Sequence, residues 1–151
     1  WHTNVLGLMA LTQAAVAQFR KQGGGQIINV SSIVGQRPLP SSGMYCASKT
    51  AVNFLSRSLR MELQADNIIV SLVYPGLTAT EFSQARLGET GSNRFGLKGI
   101  APERVAQAIV KAIRYGRTEV YVTWSDWLFT HVNRLFPRLI DWGISRTKLI
   151  S

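Results

Sequence analysis

Cysteine, histidine and long apolar runs are scarce in this sequence. Cys46 is its one cysteine, which excludes an internal disulfide and a cysteine-based metal site. Neither of its two histidines, His2 and His131, has a partner at metal-ligand spacing, so we predict no metal site. No stretch approaches the roughly 20 apolar residues that a membrane-spanning helix needs. These absences favour a globular protein of a reducing compartment, and we expect a cytoplasmic location.

The sequence also lacks an initiating methionine and a signal peptide. Residue 1 is Trp1, and residues 1–9 already have the pattern of a starting helix, without a charged segment or a cleavage site before it. We therefore expect the sequence to begin inside a longer protein. Hydrophobic residues make up 46% of its 151 residues and there is no low-complexity tract, which fits one globular domain with a sizeable core.

Acidic residues are few. Eight Asp and Glu stand against 17 Lys and Arg, giving a formal charge of +9. Such a charge favours anionic partners, among them nucleotide phosphates, acidic lipid headgroups and nucleic acid. The basic residues are spread from Arg20 to Lys148 and do not form one patch interleaved with aromatic residues, so we predict no nucleic-acid binding.

Helical and strand-like segments alternate along the chain. Apolar residues at helical spacing alternate with short β-branched runs in the order 4–19, 26–30, 43–65, 68–73, 101–115 and 119–123. This order requires right-handed crossovers and predicts an α/β fold, a parallel sheet with helices on both faces. The glycines at 23–25 follow a helix and precede a strand, the reverse of a phosphate-binding loop, so we predict a turn there.

Two segments fall outside this alternation. Residues 78–99 are long for a connection in a compact domain and predict either a lid over a site or a disordered surface loop. Residues 124–151 carry tryptophans and aliphatic residues at helical spacing, divided by Pro137. We therefore separate a body, residues 1–123, from an amphipathic helical extension, residues 124–151. The extension could cover the core, form a pocket wall or dimer contact, or lie on a membrane surface.

Tyr45, Lys49 and Ser32 are the first residues that suggest chemistry. Tyr45 and Lys49 are four apart on a predicted helix, so they leave the same face. A tyrosine that moves protons near neutral pH needs its pKa brought down from about 10, which a nearby cation does by favouring the phenolate. Solvated helix pairs commonly show this spacing too. Ser32, however, lies 13 residues before Tyr45, at the carboxyl end of a predicted strand, where α/β sheets place ligand sites.

In this arrangement the sequence resembles the short-chain dehydrogenase/reductase family. Four segments carry the resemblance in the family's order and spacing, namely residues 3–7 (TNVLG), 27–35 (IINVSSIVG), 45–49 (YCASK) and 73–76 (VYPG). The last of these is followed by Thr78 and Thr80. The resemblance implies the C-terminal catalytic part of a Rossmann-type, doubly wound domain. It also implies an oxidoreductase that moves a hydride between NAD(P)(H) and a small-molecule carbonyl or secondary alcohol.

The resemblance also assigns roles to individual residues. It makes Tyr45 the general acid/base and Ser32 the hydrogen-bond donor to the substrate oxygen. It makes Lys49 the cation that tunes Tyr45 and binds the nicotinamide ribose, and Asn4 the holder of a water that links Lys49 to solvent. The loop residues implied to meet the nicotinamide end of the cofactor are Pro75, Gly76, Thr78 and Thr80.

The sequence departs from the family in what precedes these motifs. It has no Gly-rich pyrophosphate loop after a first strand, and no residue that distinguishes NAD from NADP, so that choice stays open. We expect the chain alone to be inactive and to bind dinucleotide weakly or not at all. It also lacks the family's Asn-Asn-Ala-Gly strand, which would leave strand 26–30 with an unpaired edge.

Several alternatives remain. Ser31 is expected to be a structural partner of the strand end, and Cys46 a helix-packing residue. The resemblance implies a homo-oligomer joined through the helix of Tyr45, with Phe54, Leu55 and Leu59 on its apolar side. A non-catalytic protein that serves assembly, or a peripheral membrane protein bound through the Trp-rich extension, would account for the same sequence.

Overall fold

The structure is a computed structural model of the chain, and it describes residues 1–79 and 99–146. A six-residue π-helical segment, His2–Gly7, leads into the first α-helix. The helices and strands that follow are α1 (Leu8–Gln22), β1 (Gly25–Val30), α2 (Gly43–Glu62), β2 (Ile68–Tyr74), α3 (Pro102–Tyr115), β3 (Glu119–Tyr121), α4 (Trp124–Leu135) and α5 (Pro137–Arg146).

The three strands form one parallel sheet in the order β1-β2-β3. Gly25 pairs with Ile68 and Val30 with Val73, so β1 and β2 are in register along the whole of β1. Tyr74 pairs with Tyr121 at the end of β3. The predicted parallel α/β sheet is thus confirmed. Within the described residues β1 pairs on one side only, which leaves its outer edge open.

Helices cover both faces of the sheet because side chains alternate along β2. Leu72 and Tyr74 point to one face and pack with Val52 of α2. Val73 points to the other face and packs with Ala108 of α3. The face of Leu72 continues into a second cluster at the other end of the strands, formed by Val16, Ile27, Leu63, Ile68 and Val70. This arrangement places α1 and α2 on one side and α3 on the other.

The element boundaries differ from the sequence-based ranges at a few points. The helix predicted over 43–65 ends at Glu62 and continues as a 3₁₀ turn, Gln64–Asp66. The strand predicted over 119–123 ends at Tyr121, because Thr123 caps the next helix by accepting a hydrogen bond from the Asp126 N–H at 3.1 Å. Gly23 and Gly24 form the predicted turn, with Gly23 left-handed at φ 78°, and Gly25 already begins β1.

The extension forms the two helices α4 and α5. As predicted, Pro137 divides them, since proline removes a helical hydrogen bond and is well tolerated as the first residue of a helix. Thr78 and Ile100 pair across the two ends of the predicted lid, whose residues 80–98 lie outside the described residues. No helix in the described ranges combines the length and the apolar character required to cross a bilayer.

Candidate active site

Ser32 and Pro75 meet at the carboxyl edge of the sheet. Ser32 follows β1 and Pro75 follows β2, and parallel strands bring such ends to one edge. The Ser32 hydroxyl donates to the Pro75 carbonyl oxygen at 3.3 Å, and the Ile33 N–H donates to the same oxygen at 3.1 Å. The serine segment and the Pro-Gly loop, separated by 43 positions in sequence, therefore lie side by side.

Lys49 lies at the same edge. Its Nζ donates to the carbonyl oxygen of Val30, the last residue of β1, at 3.0 Å. One helical turn earlier is Tyr45, and Lys49 Nζ lies 5.9 Å from the centre of its ring. Burial lowers the pKa of Lys49, because desolvation penalises the charged ammonium. Tyr45 and the half-buried Lys49 thus lie on one face of α2, at the edge of the sheet where Ser32 also lies.

Asn4 connects to the same turn of α2 through Ser48. Asn4 Nδ2 donates to Ser48 Oγ at 3.1 Å, and that hydroxyl donates to the Tyr45 carbonyl oxygen at 2.8 Å. Asn4 lies in the π-helical segment before α1, a rare geometry that often marks functional positions. The sequence analysis did not single out Ser48. The signal that would have identified it is a small polar residue on the buried side of the predicted helix.

A buried network fixes α2 against the serine segment. The Ser31 hydroxyl lies 2.5 Å from Asn53 Oδ1, and Asn53 Nδ2 donates to the Gly35 carbonyl oxygen at 3.0 Å. A Cβ added at Gly35 would lie 2.8 Å from Asn53 Nδ2 and 2.9 Å from the Lys49 carbonyl carbon. Because only glycine permits this approach, residue 35 determines how closely Lys49 and the serine segment can lie.

The Pro-Gly loop has contacts on its other side as well. Thr78 Oγ1 donates to the Gly76 carbonyl oxygen at 3.2 Å. The carboxylate of Asp126, in the first turn of α4, lies directly over Gly76 where a Cβ would stand. Thr80, the remaining predicted residue of the loop, lies outside the described residues. The contact of the extension with this loop was not predicted from the sequence.

A second tyrosine, Tyr74, lies in a different environment. It is fully buried, and its hydroxyl donates to Glu119 Oε2 at 2.7 Å. Burial, reinforced by the adjacent Glu119 carboxylate, raises the pKa of Tyr74 well above its usual value. Tyr74 therefore keeps its proton and is not a candidate acid/base group.

The Glu119 carboxylate is also bound by Arg57 and Arg60, at 3.1 and 3.2 Å. Burial would raise the pKa of Glu119, but hydrogen bonds from Arg57 and Tyr74 and the charges of the two arginines together lower it. This cluster ties α2 to the start of β3. It gives the helix that carries Tyr45 and Lys49 a second, polar attachment to the sheet.

Comparisons with known proteins identify the family of the chain. The family model described as short chain dehydrogenase matches residues 1–90. The chain is 34% identical to "Dehydrogenase/reductase SDR family protein 7-like" of Drosophila melanogaster, over 95% of this chain and 46% of that protein. It is 42% identical to "Dehydrogenase/reductase SDR family member 4" of Sus scrofa, over 55% of this chain and 30% of that protein.

A solved structure shows the same fold. It is a short-chain dehydrogenase from Burkholderia cenocepacia J2315 in complex with NADP, with a TM-score of 0.79 and 26% identity, covering 93% of this chain and 55% of that one. The chain belongs to the short-chain dehydrogenase/reductase family. It spans about half the length, or less, of the relatives that it matches.

Proposed function

We propose that the chain is the catalytic part of an NAD(P)-dependent oxidoreductase that interconverts a small-molecule carbonyl and a secondary alcohol. One observation carries the proposal. Ser32, Lys49 and the Pro75 loop meet at the carboxyl edge of the sheet, with Tyr45 beside the Lys49 ammonium. The binding of NADP by the Burkholderia relative supports a nicotinamide cofactor for this chain too.

We assign each of these residues the role that the family resemblance implies. In reduction, the Tyr45 hydroxyl gives its proton to the substrate oxygen as negative charge develops there, and in oxidation it takes the proton back. Ser32 donates a hydrogen bond to the same oxygen. The Lys49 ammonium favours the phenolate form of Tyr45 between these steps. Asn4, joined to the Tyr45 turn through Ser48, is assigned the water that links Lys49 to solvent.

The residues present suit the nicotinamide half of the cofactor. The nicotinamide supplies or accepts the hydride. Lys49 uses one N–H for Val30, which leaves two to bind the hydroxyls of a ribose. We assign contacts with the nicotinamide end to the loop residues Pro75, Gly76, Thr78 and Thr80. Within the described ranges no Gly-rich loop joins a strand to a helix, so the pyrophosphate half is not assigned to these residues.

The test is Tyr45→Phe in the full-length protein, with Tyr115→Phe as the matched control. Tyr115 is 63% exposed on α3 and has no role in the proposal. We expect Tyr45→Phe to lower kcat by about 10²- to 10⁴-fold, the usual contribution of a general acid/base. Tyr115→Phe should leave kcat unchanged. Retention of more than about a tenth of the activity by Tyr45→Phe would remove Tyr45 from this role.

Exposed apolar residues on α1 and α2 favour a homo-oligomer. Leu11, Phe54 and Met61 are 75%, 69% and 73% exposed, whereas Leu59 packs inward on the core. The expected apolar side of α2 is therefore divided between the core and an exposed face. We propose that this exposed face contacts a second copy. Phe54→Glu should then lower the oligomeric state in light scattering, whereas Glu62→Gln on the same helix should not.

The outward side of the extension favours contact with an acidic membrane surface. Leu135, Leu139 and Trp142 are 71%, 57% and 54% exposed, and the Arg146 guanidinium lies 4.1 Å from the Trp142 ring centre. Of the two acids in these helices, Asp126 lies at Gly76, and Asp141, whose side chain is 62% exposed, pairs with Arg37. Arg134, Arg138 and Arg146 outnumber them, so basic charge exceeds acidic charge along these helices.

We propose that this surface binds anionic bilayers peripherally. The full-length protein should sediment with vesicles that contain about one third phosphatidylserine and not with phosphatidylcholine vesicles. Trp142→Ala should weaken sedimentation, whereas Tyr115→Ser, which removes an exposed aromatic outside the extension, should not. Equal sedimentation of Trp142→Ala and the unaltered protein would contradict the proposal.

A further inference from the structure

The first turn of α4 lies against the Pro75-Gly76 turn. The Asp126 carboxylate occupies the space where a Cβ of residue 76 would stand, with its Cγ 2.9 Å and its Oδ2 3.0 Å from that position. Among the glycines that the structure describes, those with positive φ are Gly23, Gly24 and Gly116, so the backbone at residue 76 does not itself require glycine. What glycine provides at residue 76 is room for the Asp126 side chain.

Asp126 is itself held in place. Its N–H donates to Thr123 Oγ1 at 3.1 Å, and its carbonyl accepts from Thr130 Oγ1 at 3.0 Å. Thr130 is 4% exposed. Asp126 Oδ2 is buried and accepts no hydrogen bond from any residue that the structure describes. Asp126 is thus fixed at the start of α4 by the hydrogen bonds of its main chain.

The Pro75-Gly76 turn is contacted by two parts of the chain. Ser32 Oγ and Ile33 N–H donate to the Pro75 carbonyl oxygen, and Asp126 lies on Gly76. The turn therefore contacts both the serine segment and the extension. A displacement of Asp126 would free the turn on one side and alter its position relative to Ser32.

The extension also contacts the segment that follows Ser32. Asn133 Nδ2 donates to the Gln36 carbonyl oxygen at 3.5 Å, and Arg37 donates to Asn133 Oδ1 at 3.2 Å. Arg37, whose side chain is 12% exposed, forms an ion pair with Asp141 of α5. The helices α4 and α5 thus contact both loops at the carboxyl edge of the sheet.

We propose that α4 and α5 position the two catalytic loops and that Asp126 is the positioning residue of the Pro75-Gly76 turn. The inference rests on the proposed function, because it assigns that turn to the nicotinamide end of the cofactor. It gives the inward side of residues 124–146 a role in the reaction. The outward apolar side remains available for a membrane or another partner.

The test compares Asp126→Ala with Asp126→Asn in the full-length protein. The matched control is Glu103→Ala, which removes an exposed acid from the first turn of α3. Beside the turn, the Ala79 N–H donates to the Ile100 carbonyl oxygen and the Ile100 N–H donates to the Leu77 carbonyl oxygen, both at 2.9 Å. We expect Asp126→Ala to accelerate hydrogen–deuterium exchange of these two amides by about tenfold or more, since a packing contact that limits local opening is lost. Asp126→Asn keeps the shape and should stay within about twofold of the unaltered protein, as should the control.

Dinucleotide affinity provides the second readout. Fluorescence titration with NADPH and NADH should show a dissociation constant about tenfold higher for Asp126→Ala, with a smaller change in kcat at saturating cofactor. If neither dinucleotide binds the unaltered protein, the proposed function fails. The exchange measurement would still show whether Asp126 holds the Pro75-Gly76 turn in position. Unchanged exchange of the Ala79 and Ile100 amides in Asp126→Ala would overturn the inference.

A double-variant cycle tests the contact between the Asp126 side chain and Gly76 by a second route. Gly76→Ala places a Cβ against the Asp126 carboxylate and should weaken dinucleotide binding. Adding Asp126→Ala to Gly76→Ala should recover part of this loss, because the space is restored. Strict additivity of the two changes would show that the residues do not interact, and would overturn the inference.

Discussion

Lys49 Nζ lies 3.0 Å from the carbonyl oxygen of Val30, so a cation on helix α2 is anchored to the last residue of strand β1. Ser32, two residues beyond Val30, donates to the Pro75 carbonyl oxygen at the end of the next strand. The helix, the serine segment and the Pro-Gly loop are thereby fixed to one edge of the sheet. The proposed chemistry depends on this edge.

Substitutions of Lys49 and Ser32 should have different kinetic effects. Lys49→Met should raise the KM for the cofactor and lower kcat, because Lys49 is assigned both the ribose and the Tyr45 phenolate. Ser32→Ala should act mainly on kcat, by about 10²- to 10³-fold, as expected for one donor to a developing oxyanion. Steady-state kinetics with varied cofactor would separate the two. Weakened cofactor binding with a normal saturated rate in Ser32→Ala would contradict these roles.

Gly35→Ala should destabilise the protein by about 1 to 3 kcal/mol, because the added methyl overlaps Asn53 and the Lys49 backbone. Gly43→Ala is the matched control. Gly43 begins α2 with nothing within 4 Å of its added Cβ, and alanine there should be neutral or stabilise by up to about 1 kcal/mol. Urea unfolding of both variants measures the contrast. Equal stabilities would show that the close approach at Gly35 does not constrain the fold.

Glu119 should make stability depend on acid pH. Its pKa is lowered in the folded state, so its stabilising contribution is complete above the ordinary carboxyl value of 4.5 and is lost as pH falls through the lower folded-state pKa. Glu119→Gln should cost about 1 to 3 kcal/mol at neutral pH by weakening the bonds to Arg57, Arg60 and Tyr74. The difference in free energy of unfolding between Glu119→Gln and the unaltered protein, measured by urea unfolding, should shrink in acid. Glu62→Gln, on the exposed end of α2, is the control. A difference that stayed the same at every pH would refute the stabilising role assigned to the Glu119 carboxylate.

The 151-residue chain by itself should neither oxidise NAD(P)H nor bind dinucleotide tightly. The proposal assigns only the nicotinamide half of a site to these residues, and within the described residues the outer edge of β1 is open, which also favours self-association. Fluorescence titration and light scattering of the purified chain test both expectations. A micromolar dissociation constant would show that these residues suffice for cofactor anchoring.

The sequence predicted the sheet and the edge of the site because both depend on local patterns. The β-branched runs identify the strands, and the four-residue spacing of Tyr45 and Lys49 places them on one helix face. The Asp126 contact with Gly76 and the Arg57 pair with Glu119 join residues about 50 to 60 positions apart. Neither contact produces a local pattern in the sequence from which it could be predicted. Asp126 also had a sufficient local explanation as an acid in the first turn of a helix.

Isotope transfer from cofactor to product would test the central claim most directly. Full-length protein would be incubated with NADPH or NADH deuterated at the transferable position and a panel of ketones, and the alcohols analysed by mass spectrometry. We expect deuterium on the carbinol carbon of the alcohol. The rate of deuterium transfer should fall about 10²-fold or more in Tyr45→Phe and stay unchanged in Tyr115→Phe. Absence of deuterium from every product, or undiminished transfer by Tyr45→Phe, would contradict it.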